Sequence, residues 1–416
     1  MAPPVLTSVV PNSGPAAGTN PVTLNGSQFT GATAVTFGSA AALSYTVTSP
    51  STITATVPPG TGTVNVTVRT PAGLSNTVAY TYAPAPSLTT IAPSQGPTSG
   101  GTSVVLTGTG LTGATAVTFG STPATSYTVN SATQITAVTP SGTGAVAVTA
   151  TTVGGTSGPV FFYYLNAPSL VSVSPTQGPT SGGTSVVLTG AGLTGATAVT
   201  FGSTPATSYT VNSATQITAV TPSGTGAVAV TATTVGGTSG PVFFYYLNAP
   251  SLVSVSPTQG PTSGGTSVVL TGAGLTGATA VTFGSTPATS YTVNSATQIT
   301  AVTPPGTGSV GCTVTGPGGT SNAVIYAYVG APTLTALSPA QGPTDAGATV
   351  TLTGTGLTTT FAVRFGTAPA AFSVLSDTTV TAIAPAGPAG SVAVSVTTSG
   401  GTSNSLAYQR VAPPAI

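Results

Sequence analysis

A Gly-Pro step recurs along this chain at a constant interval, which constrains the fold more than any single residue does. A repeat of this length corresponds to one small domain rather than to one turn of a solenoid. The 416-residue chain is therefore a tandem array of five units. The prolines of the step are 82 residues apart (97 − 15 = 82), at Pro15, Pro97, Pro179, Pro261 and Pro343.

The second and third units are almost identical. From 95 to 165 and from 177 to 247 they differ only at Thr109, which is Ala191 in the third unit. Such identity predicts that the two units do the same mechanical job. It also indicates that neither unit has an active site of its own.

The composition of the chain excludes most chemistry, because Lys, Glu, His and Trp are absent. Side chains that transfer protons are drawn from these types, and calcium or zinc sites need clustered acidic, His or Cys ligands. We therefore predict that the protein is not an enzyme and has no cofactor and no metal site. The charged residues are limited to Arg69, Arg364, Arg410, Asp345 and Asp377.

The charge and hydropathy patterns exclude two further classes of partner. A net charge of +1, carried by three scattered arginines, is too small for phosphate neutralisation, so no nucleic acid is expected. No uninterrupted apolar stretch has the length of a membrane span, so no membrane insertion is expected. The first residues, Met-Ala-Pro-Pro-Val, lack the regions of a secretory signal. Either the numbering begins on a mature or recombinant form, or the chain does not use the general secretory route, as for virion proteins.

Cys312 is the single cysteine, so no intramolecular disulfide forms. It replaces Val148 and Val230 of the preceding units in an alternating apolar run. This predicts a small buried apolar side chain. The alternative, a reactive thiol or an intermolecular crosslink, lacks the basic neighbours that would lower the pKa of the thiol.

The third unit contains seven short runs rich in Val, Thr, Tyr and Phe, separated by Gly, Pro, Asn or Ser. Seven strands in one period with turn signals at this spacing are typical of an antiparallel β-sandwich. Gly-rich turns between the runs lack the Gly-Lys-Ser/Thr motif and the following helix of a phosphate site. The runs are 169–174, 185–189, 198–201, 208–211, 216–220, 227–233 and 241–247.

Each unit carries a set of motifs at matching separations. In the second unit these are Gly-Pro-Thr-Ser-Gly-Gly-Thr at 96–102, Val-Thr-Phe-Gly at 117–120, Ile-Thr-Ala at 135–137, and the closing pair Phe162 and Tyr164. This set resembles the IPT/TIG immunoglobulin-like domain over essentially the whole chain. The resemblance implies an early-set immunoglobulin sandwich, found in cell-surface receptors, bacterial surface proteins, accessory modules of carbohydrate-active enzymes and some transcription factors. The basic loops of the DNA-binding branch are replaced here by Ser, Thr, Gly and Ala.

We therefore predict an all-β chain of five tandem immunoglobulin-like (early-set) β-sandwich domains that form an extended rod. The joints between units are short and contain proline, which makes them stiff spacers. Strands of about seven residues at about 3.3 Å each, with end loops, predict a rod of about 150–200 Å. Units 1 to 5 are expected at 4–83, 84–165, 166–247, 248–329 and 330–411, followed by a tail at 412–416 in register with the joints.

The tail has the sequence of a joint, since Pro414 continues the register of the joint proline Pro332 (414 − 332 = 82). Either the array is clipped or ends naturally here, or the tail of one molecule docks on the first unit of the next.

Two features favour self-association. The edge strands lack the charge that normally prevents pairing between molecules. In addition, aromatic side chains alternate with the core positions of the closing strands in units 2 and 3. A neighbouring loop covers them, or they contact another chain or a glycan. The candidate self-association surface consists of Phe161, Tyr163, Phe243, Tyr245, Pro414 and Ile416.

These observations predict a non-catalytic structural protein, a stiff rod that self-associates into an extracellular filament or surface layer. The alternative is a cell-surface or virion adhesin or stalk whose terminal domain binds a glycan or protein. An accessory region of a larger enzyme is less favoured, since the chain contains no catalytic domain. We expect an extracellular or cell-surface location, or alternatively the virion surface.

Overall fold

The structure, a computed structural model, describes residues 2–412. Within them every regular element is a β-strand, and none forms a helix that could cross a membrane. Each unit contains ten strands. Unit 1 holds β1–β10 at Val5–Val10, Ser13–Pro15, Pro21–Ser27, Ala34–Phe37, Ala40–Ala41, Ser44–Ser49, Thr52–Thr56, Gly62–Thr70, Gly73–Leu74 and Val78–Ala83.

Units 2 and 3 repeat this order with equal strand lengths. Unit 2 holds β11–β20 at Ser87–Ala92, Gln95–Pro97, Ser103–Thr109, Ala116–Phe119, Thr122–Pro123, Ser126–Ser131, Gln134–Val138, Gly144–Thr152, Gly155–Thr156 and Val160–Leu165. Unit 3 holds β21–β30 at Ser169–Ser174, Gln177–Pro179, Ser185–Ala191, Ala198–Phe201, Thr204–Pro205, Ser208–Ser213, Gln216–Val220, Gly226–Thr234, Gly237–Thr238 and Val242–Leu247.

Units 4 and 5 complete the array. Unit 4 holds β31–β40 at Ser251–Ser256, Gln259–Pro261, Ser267–Ala273, Ala280–Phe283, Thr286–Pro287, Ser290–Ser295, Gln298–Val302, Gly308–Gly316, Gly319–Thr320 and Val324–Val329. Unit 5 holds β41–β50 at Thr333–Ser338, Gln341–Pro343, Thr349–Thr355, Ala362–Phe365, Ala368–Ala370, Phe372–Ser376, Thr379–Ile383, Gly390–Thr398, Gly401–Thr402 and Leu406–Val411.

Two sheets pack face to face in every unit. In unit 2 the four-stranded sheet has the order β11-β13-β17-β16, and the six-stranded sheet has the order β12-β20-β18-β14-β15, with β19 paired to β18. All pairs are antiparallel except β12 with β20, which is parallel. The prediction of an all-β chain of five tandem immunoglobulin-like β-sandwiches is confirmed.

The number of strands differs from the sequence prediction, which gave seven for the third unit instead of ten. The seven predicted runs coincide with the seven longer strands, within two residues at each end. The three missed strands, β22, β25 and β29, have two or three residues each. They consist largely of turn-forming residues and are extended because they pair with another strand, β22 with the distant β30 and β25 and β29 with the strands that directly precede them.

Each unit has a core of its own, because alternate residues of both sheets point inward. In unit 2, Leu106 and Ile135 of one sheet pack against Phe119, Val148 and Phe162 of the other, all at most 3% exposed. The five core clusters share no residue between units among residues 2–412. The array is therefore a series of separate sandwiches.

An asparagine holds the first strand of unit 1 in place. Asn76 Oδ1 accepts a hydrogen bond from Leu6 N, and Asn76 Nδ2 donates to Leu6 O, both at 2.8 Å. Asn322 and Asn404 hold Leu252 and Leu334 in the same way. Units 2 and 3 have glycine instead, at Gly158 and Gly240, so this hydrogen-bond pair is absent from them.

Consecutive units meet at a tight turn. In unit 3 the turn joins β28 to β29, and its tip, Val235, lines one cleft together with Ile91–Gln95 of unit 2. The next residue, Gly236, lies directly against the carbonyl group of Asn166 in the linker, so a methyl group there would overlap the carbonyl oxygen. The corresponding glycines of the other joints, each against a linker carbonyl, are Gly154, Gly318 and Gly400.

The joint between units 4 and 5 has an additional polar contact. Gln259 Nε2 donates a hydrogen bond to Ser399 Oγ at 2.8 Å, the one side-chain hydrogen bond between units within the described chain. Ser399 occupies the position of Val235, so the turn tip is apolar at the joint of units 2 and 3 and polar here.

Candidate association surface

The closing strand of unit 2, β20, is orientated by its two inward aromatic rings. Phe162 is fully buried and packs edge-to-face on Phe119, with ring centroids 5.7 Å apart. Tyr164 packs edge-to-face on Phe162 at 5.0 Å and donates a hydrogen bond from its hydroxyl to Pro140 O at 2.8 Å. Because side chains alternate along a strand, these contacts force the intervening residues outward.

The outward residues of β20 are also aromatic. Phe161 is 52% exposed and Tyr163 is 46% exposed. Unit 3 repeats the pair at Phe243 and Tyr245, which are 54% and 45% exposed. No loop covers these side chains in residues 2–412. We call each pair an aromatic ridge.

A strip of small residues runs beside each ridge. Phe161 is paired with Ala147 and Tyr163 with Ala145 on the neighbouring strand β18. On the far side of β18, Gly120 donates its backbone N–H to Ala147 O at 2.7 Å and contributes no side chain. We call this strip the alanine trough, formed in unit 2 by Gly120, Ala145 and Ala147 and in unit 3 by Gly202, Ala227 and Ala229.

The combination of ridge and trough is confined to units 2 and 3. Elsewhere the same positions hold smaller or polar pairs, and the trough positions are not both alanine. The pairs across the two strands are Ala79 with Asn65 and Thr81 with Thr63 in unit 1, Ile325 with Gly311 and Ala327 with Ser309 in unit 4, and Ala407 with Ala393 and Gln409 with Ser391 in unit 5.

The surface around both ridges carries no charge. No side chain from residue 70 to residue 344 is charged at neutral pH, since the charged side chains nearest in sequence are Arg69 and Asp345. Thr118 and Thr149 beside the trough of unit 2 hydrogen bond to each other through their hydroxyls at 3.0 Å. The surface therefore suits a neutral partner rather than a charged one.

Two of the charged residues of unit 5, Asp377 and Arg410, make hydrogen bonds that stabilise the unit. Arg410 takes the place of the inward tyrosine and donates from Nη2 to Pro385 O at 2.9 Å, as Tyr164 does to Pro140. Asp377 accepts hydrogen bonds from Thr358 Oγ1 and Gly356 N, which lower the pKa of its carboxyl. No group of His, Cys, Asp or Glu side chains able to hold a metal ion occurs in residues 2–412.

The structure places the predicted surface residues in two groups. Phe161 and Tyr163 lie together on one face, and Phe243 and Tyr245 lie together on the next unit. Pro414 and Ile416 lie outside the described residues. The alanine trough was not recognised from the sequence, because its place beside the ridge depends on the pairing of β18 with β20.

Cys312 is a core residue of unit 4, fully buried opposite Val324. Burial raises the pKa of its thiol to about 12. At pH 8 we therefore expect native protein to resist modification by a maleimide, whereas protein unfolded in guanidinium should react completely. A Ser309→Cys, Cys312→Val variant, with its thiol on the exposed face, should react rapidly in the folded state. Rapid reaction of native wild type would contradict the buried position.

Comparisons with known proteins support the repeat structure. The family model described as "IPT/TIG domain" matches five segments, 4–82, 86–164, 168–246, 250–328 and 332–409. No curated protein matches the chain.

Several solved structures are similar at low identity. The plexin A4 full extracellular region has 15% identity and a TM-score of 0.30, over 95% of this chain and 48% of that chain. Invasin, a bacterial integrin-binding protein, has 18% identity and a TM-score of 0.26, over 78% and 79%. SGBP-B from a xyloglucan utilization locus in Bacteroides uniformis has 24% identity and a TM-score of 0.21, over 46% and 58%. The chain thus spans about half the length of the plexin structure, and these TM-scores do not support a comparison of surfaces.

Proposed function

The chain belongs to the IPT/TIG domain family, with five domains in tandem, and on this basis we propose that it is a non-catalytic structural protein. It acts as a stiff rod that self-associates into an extracellular filament or surface layer. The units that do this work have the bounds 4–83, 84–165, 166–247, 248–329 and 330–411.

The observation that carries this proposal is the pair of aromatic ridges in units 2 and 3. Four rings are about half exposed on an uncharged face, at positions where unit 1 has Ala79 and Thr81. Large exposed apolar side chains next to one another mark interaction sites, and aromatic residues dominate the energetics of such sites. An uncharged surface offers no electrostatic resistance to a second copy of the same chain.

Stiffness is supported by the joints. Each linker contains proline and packs closely against the following unit, where a linker carbonyl group lies next to a glycine, as that of Asn166 does next to Gly236. Domains that are joined by short, packed linkers keep a defined separation, which a filament or a surface layer requires. The location on a cell surface, or alternatively on a virion, belongs to this proposal.

A second candidate function is an adhesin or stalk whose terminal domain binds a glycan or protein. It is favoured by Phe361 and Leu375 of unit 5, which are 65% and 64% exposed at positions where unit 4 has Thr279 and Asn294. In this case isolated chains should bind cells or glycans without forming assemblies.

The tail at Pro414 and Ile416 stays a proposed second contact between molecules in the filament.

Sedimentation velocity and electron microscopy of the purified full chain test the proposal. We expect the sedimentation coefficient to rise with protein concentration, and images to show rods lying side by side or joined into filaments. Single rods at all concentrations up to about 100 μM, a range in which weak protein interfaces are populated, would contradict self-association and favour the stalk.

A further inference from the structure

The ridge and the trough lie side by side on one face, which makes that face complementary to a copy of itself. We propose that two chains associate through the six-stranded sheets of units 2 and 3, each ridge inserting into the trough of the second copy, with the two chains parallel and in register. This inference rests on the self-association proposed above and names its partner and geometry.

The parallel direction follows from the order of the strands. Neighbouring strands are about 4.8 Å apart, so ridge and trough occupy adjacent rows on either side of a line between β20 and β18. A twofold axis along this line exchanges the rows and brings each ridge onto a trough. An axis across the strands would bring ridge onto ridge instead.

Rotation about an axis along the strands leaves their direction unchanged, so the paired strands run the same way. β20 ends at Leu165, where the linker to unit 3 begins, so the strands point along the array. Unit 2 of one chain therefore faces unit 2 of the other, and unit 3 faces unit 3.

The area of the two faces matches the requirement of a stable dimer. In unit 2 the strands β12, β20, β18, β14 and β15 have 3, 6, 9, 4 and 2 residues. At about 3.3 Å per residue and about 4.8 Å between strands, they cover about 400 Å² per face. With the faces of units 2 and 3 turned to the same side of the array, as the proposed dimer requires, the two faces supply about 800 Å² per chain, which is the size of a standard interface, whereas one face alone is too small.

The chemistry of the face also fits a second copy. Each ring meets alanine methyl groups and glycine backbone, so apolar surface is covered by apolar surface. Residues 70–344 contain no charged side chain, so association through these units desolvates no charge and brings no like charges together. A neutral polysaccharide stacked on the rings is the competing occupant, and it needs the ridge but not an empty trough.

Filling the trough separates these possibilities. The variant combines Ala145→Thr, Ala147→Asn, Ala227→Thr and Ala229→Asn, which introduces the residues that unit 1 carries at Thr63 and Asn65 and leaves all four rings in place. We expect the dissociation constant of the dimer, measured by sedimentation equilibrium, to rise at least tenfold. Unchanged association would overturn the insertion of ridge into trough. Circular dichroism and thermal unfolding check that the units remain folded.

Energy transfer between labelled chains tests the direction. Donor and acceptor dyes are attached to Ser51→Cys or Thr378→Cys, exposed turn positions on the opposite sheet of units 1 and 5, in a Cys312→Val background. A mixture of chains labelled at 51 should show transfer, and a mixture of chains labelled at 51 with chains labelled at 378 should show none. The reverse result means antiparallel chains and overturns the inference.

The outcomes distinguish this inference from the proposed function. If wild type associates but the dyes report antiparallel chains, or the filled trough has no effect, the geometry is wrong and self-association stands. If wild type does not associate and instead binds a neutral polysaccharide such as xyloglucan in a ridge-dependent manner, both are wrong.

Discussion

We expect that removing the four exposed rings of units 2 and 3 will abolish association between chains while the fold is retained. The variant combines Phe161→Ala, Tyr163→Thr, Phe243→Ala and Tyr245→Thr, which are the residues of unit 1 at Ala79 and Thr81. Truncating an aromatic side chain at the centre of an interface costs about 1–2 kcal/mol or more. Four such losses weaken the dimer by about a thousandfold or more, since each 1.4 kcal/mol is about a factor of ten.

The fold should be affected little by this change, because the rings are about half exposed and the inward rings Phe162 and Phe244 remain. Exposed substitutions usually alter the free energy of unfolding by about 0.5 kcal/mol or less. We expect the thermal unfolding curve of the variant to overlap that of wild type. Sedimentation velocity should show a single monomeric species at every concentration.

A matched control removes exposed apolar surface elsewhere. Val171→Thr and Val253→Thr act on β21 and β31 of the other sheet, at side chains that are each 76% exposed. These variants should associate like wild type, which would show that the effect depends on the face and not on the total apolar surface. If the four-ring variant still associates normally, the ridges are not the interface.

The positions of the longer strands could be predicted from the sequence because the residue pattern that indicates a strand lies within the strand itself. In unit 3, short runs rich in Val and Thr and bounded by turn-forming residues predicted all seven longer strands. The short strand β22, at Gln177–Pro179, has the composition of a turn, and it is extended because it pairs in parallel with β30. Such pairing joins residues about 70 positions apart (245 − 177 = 68), and a window along the sequence does not contain it.

The ridge could be predicted from the sequence, whereas the trough depends on how β18 pairs with β20. The outward direction of Phe161 and Tyr163 follows from alternation with the buried Phe162 and Tyr164, so it is visible in the sequence alone. The trough depends on which residue of β18 lies opposite Phe161, and this register is set by the packing of both sheets. The alanines appear in the sequence as ordinary strand residues, and their role becomes clear only in the sheet.

The two glycines in the turn after β28 are needed for different physical reasons, and only one of these reasons is local in the sequence. The second residue, Gly237, has a φ of 122°, as a turn requires. Gly236 does not have a positive φ, and it is needed because the linker carbonyl of Asn166 occupies the space of a side chain. In unit 1 the corresponding residue is Ala72.

Substituting Gly236 by alanine should loosen the joint between units 2 and 3. The new methyl group would overlap backbone atoms of Asn166, which belong to the linker and cannot move without shifting the chain between the two units. Overpacking against rigid atoms costs about 1–3 kcal/mol. We expect the free energy of unfolding of unit 3 to fall by this amount, or the linker to detach and become sensitive to protease at 165–168.

The consequence for assembly gives the sharper test. About 400 Å² per face is too little for a stable dimer, so both faces must be presented at a fixed spacing. Gly236→Ala leaves every ring and every trough residue intact, yet it should weaken dimerisation at least tenfold in sedimentation equilibrium. Gly240→Ala is the matched control, because its side chain would project into open space while the effect on the unfolded chain is the same. If both variants associate equally well, joint stiffness does not contribute to assembly, and each face would have to bind on its own.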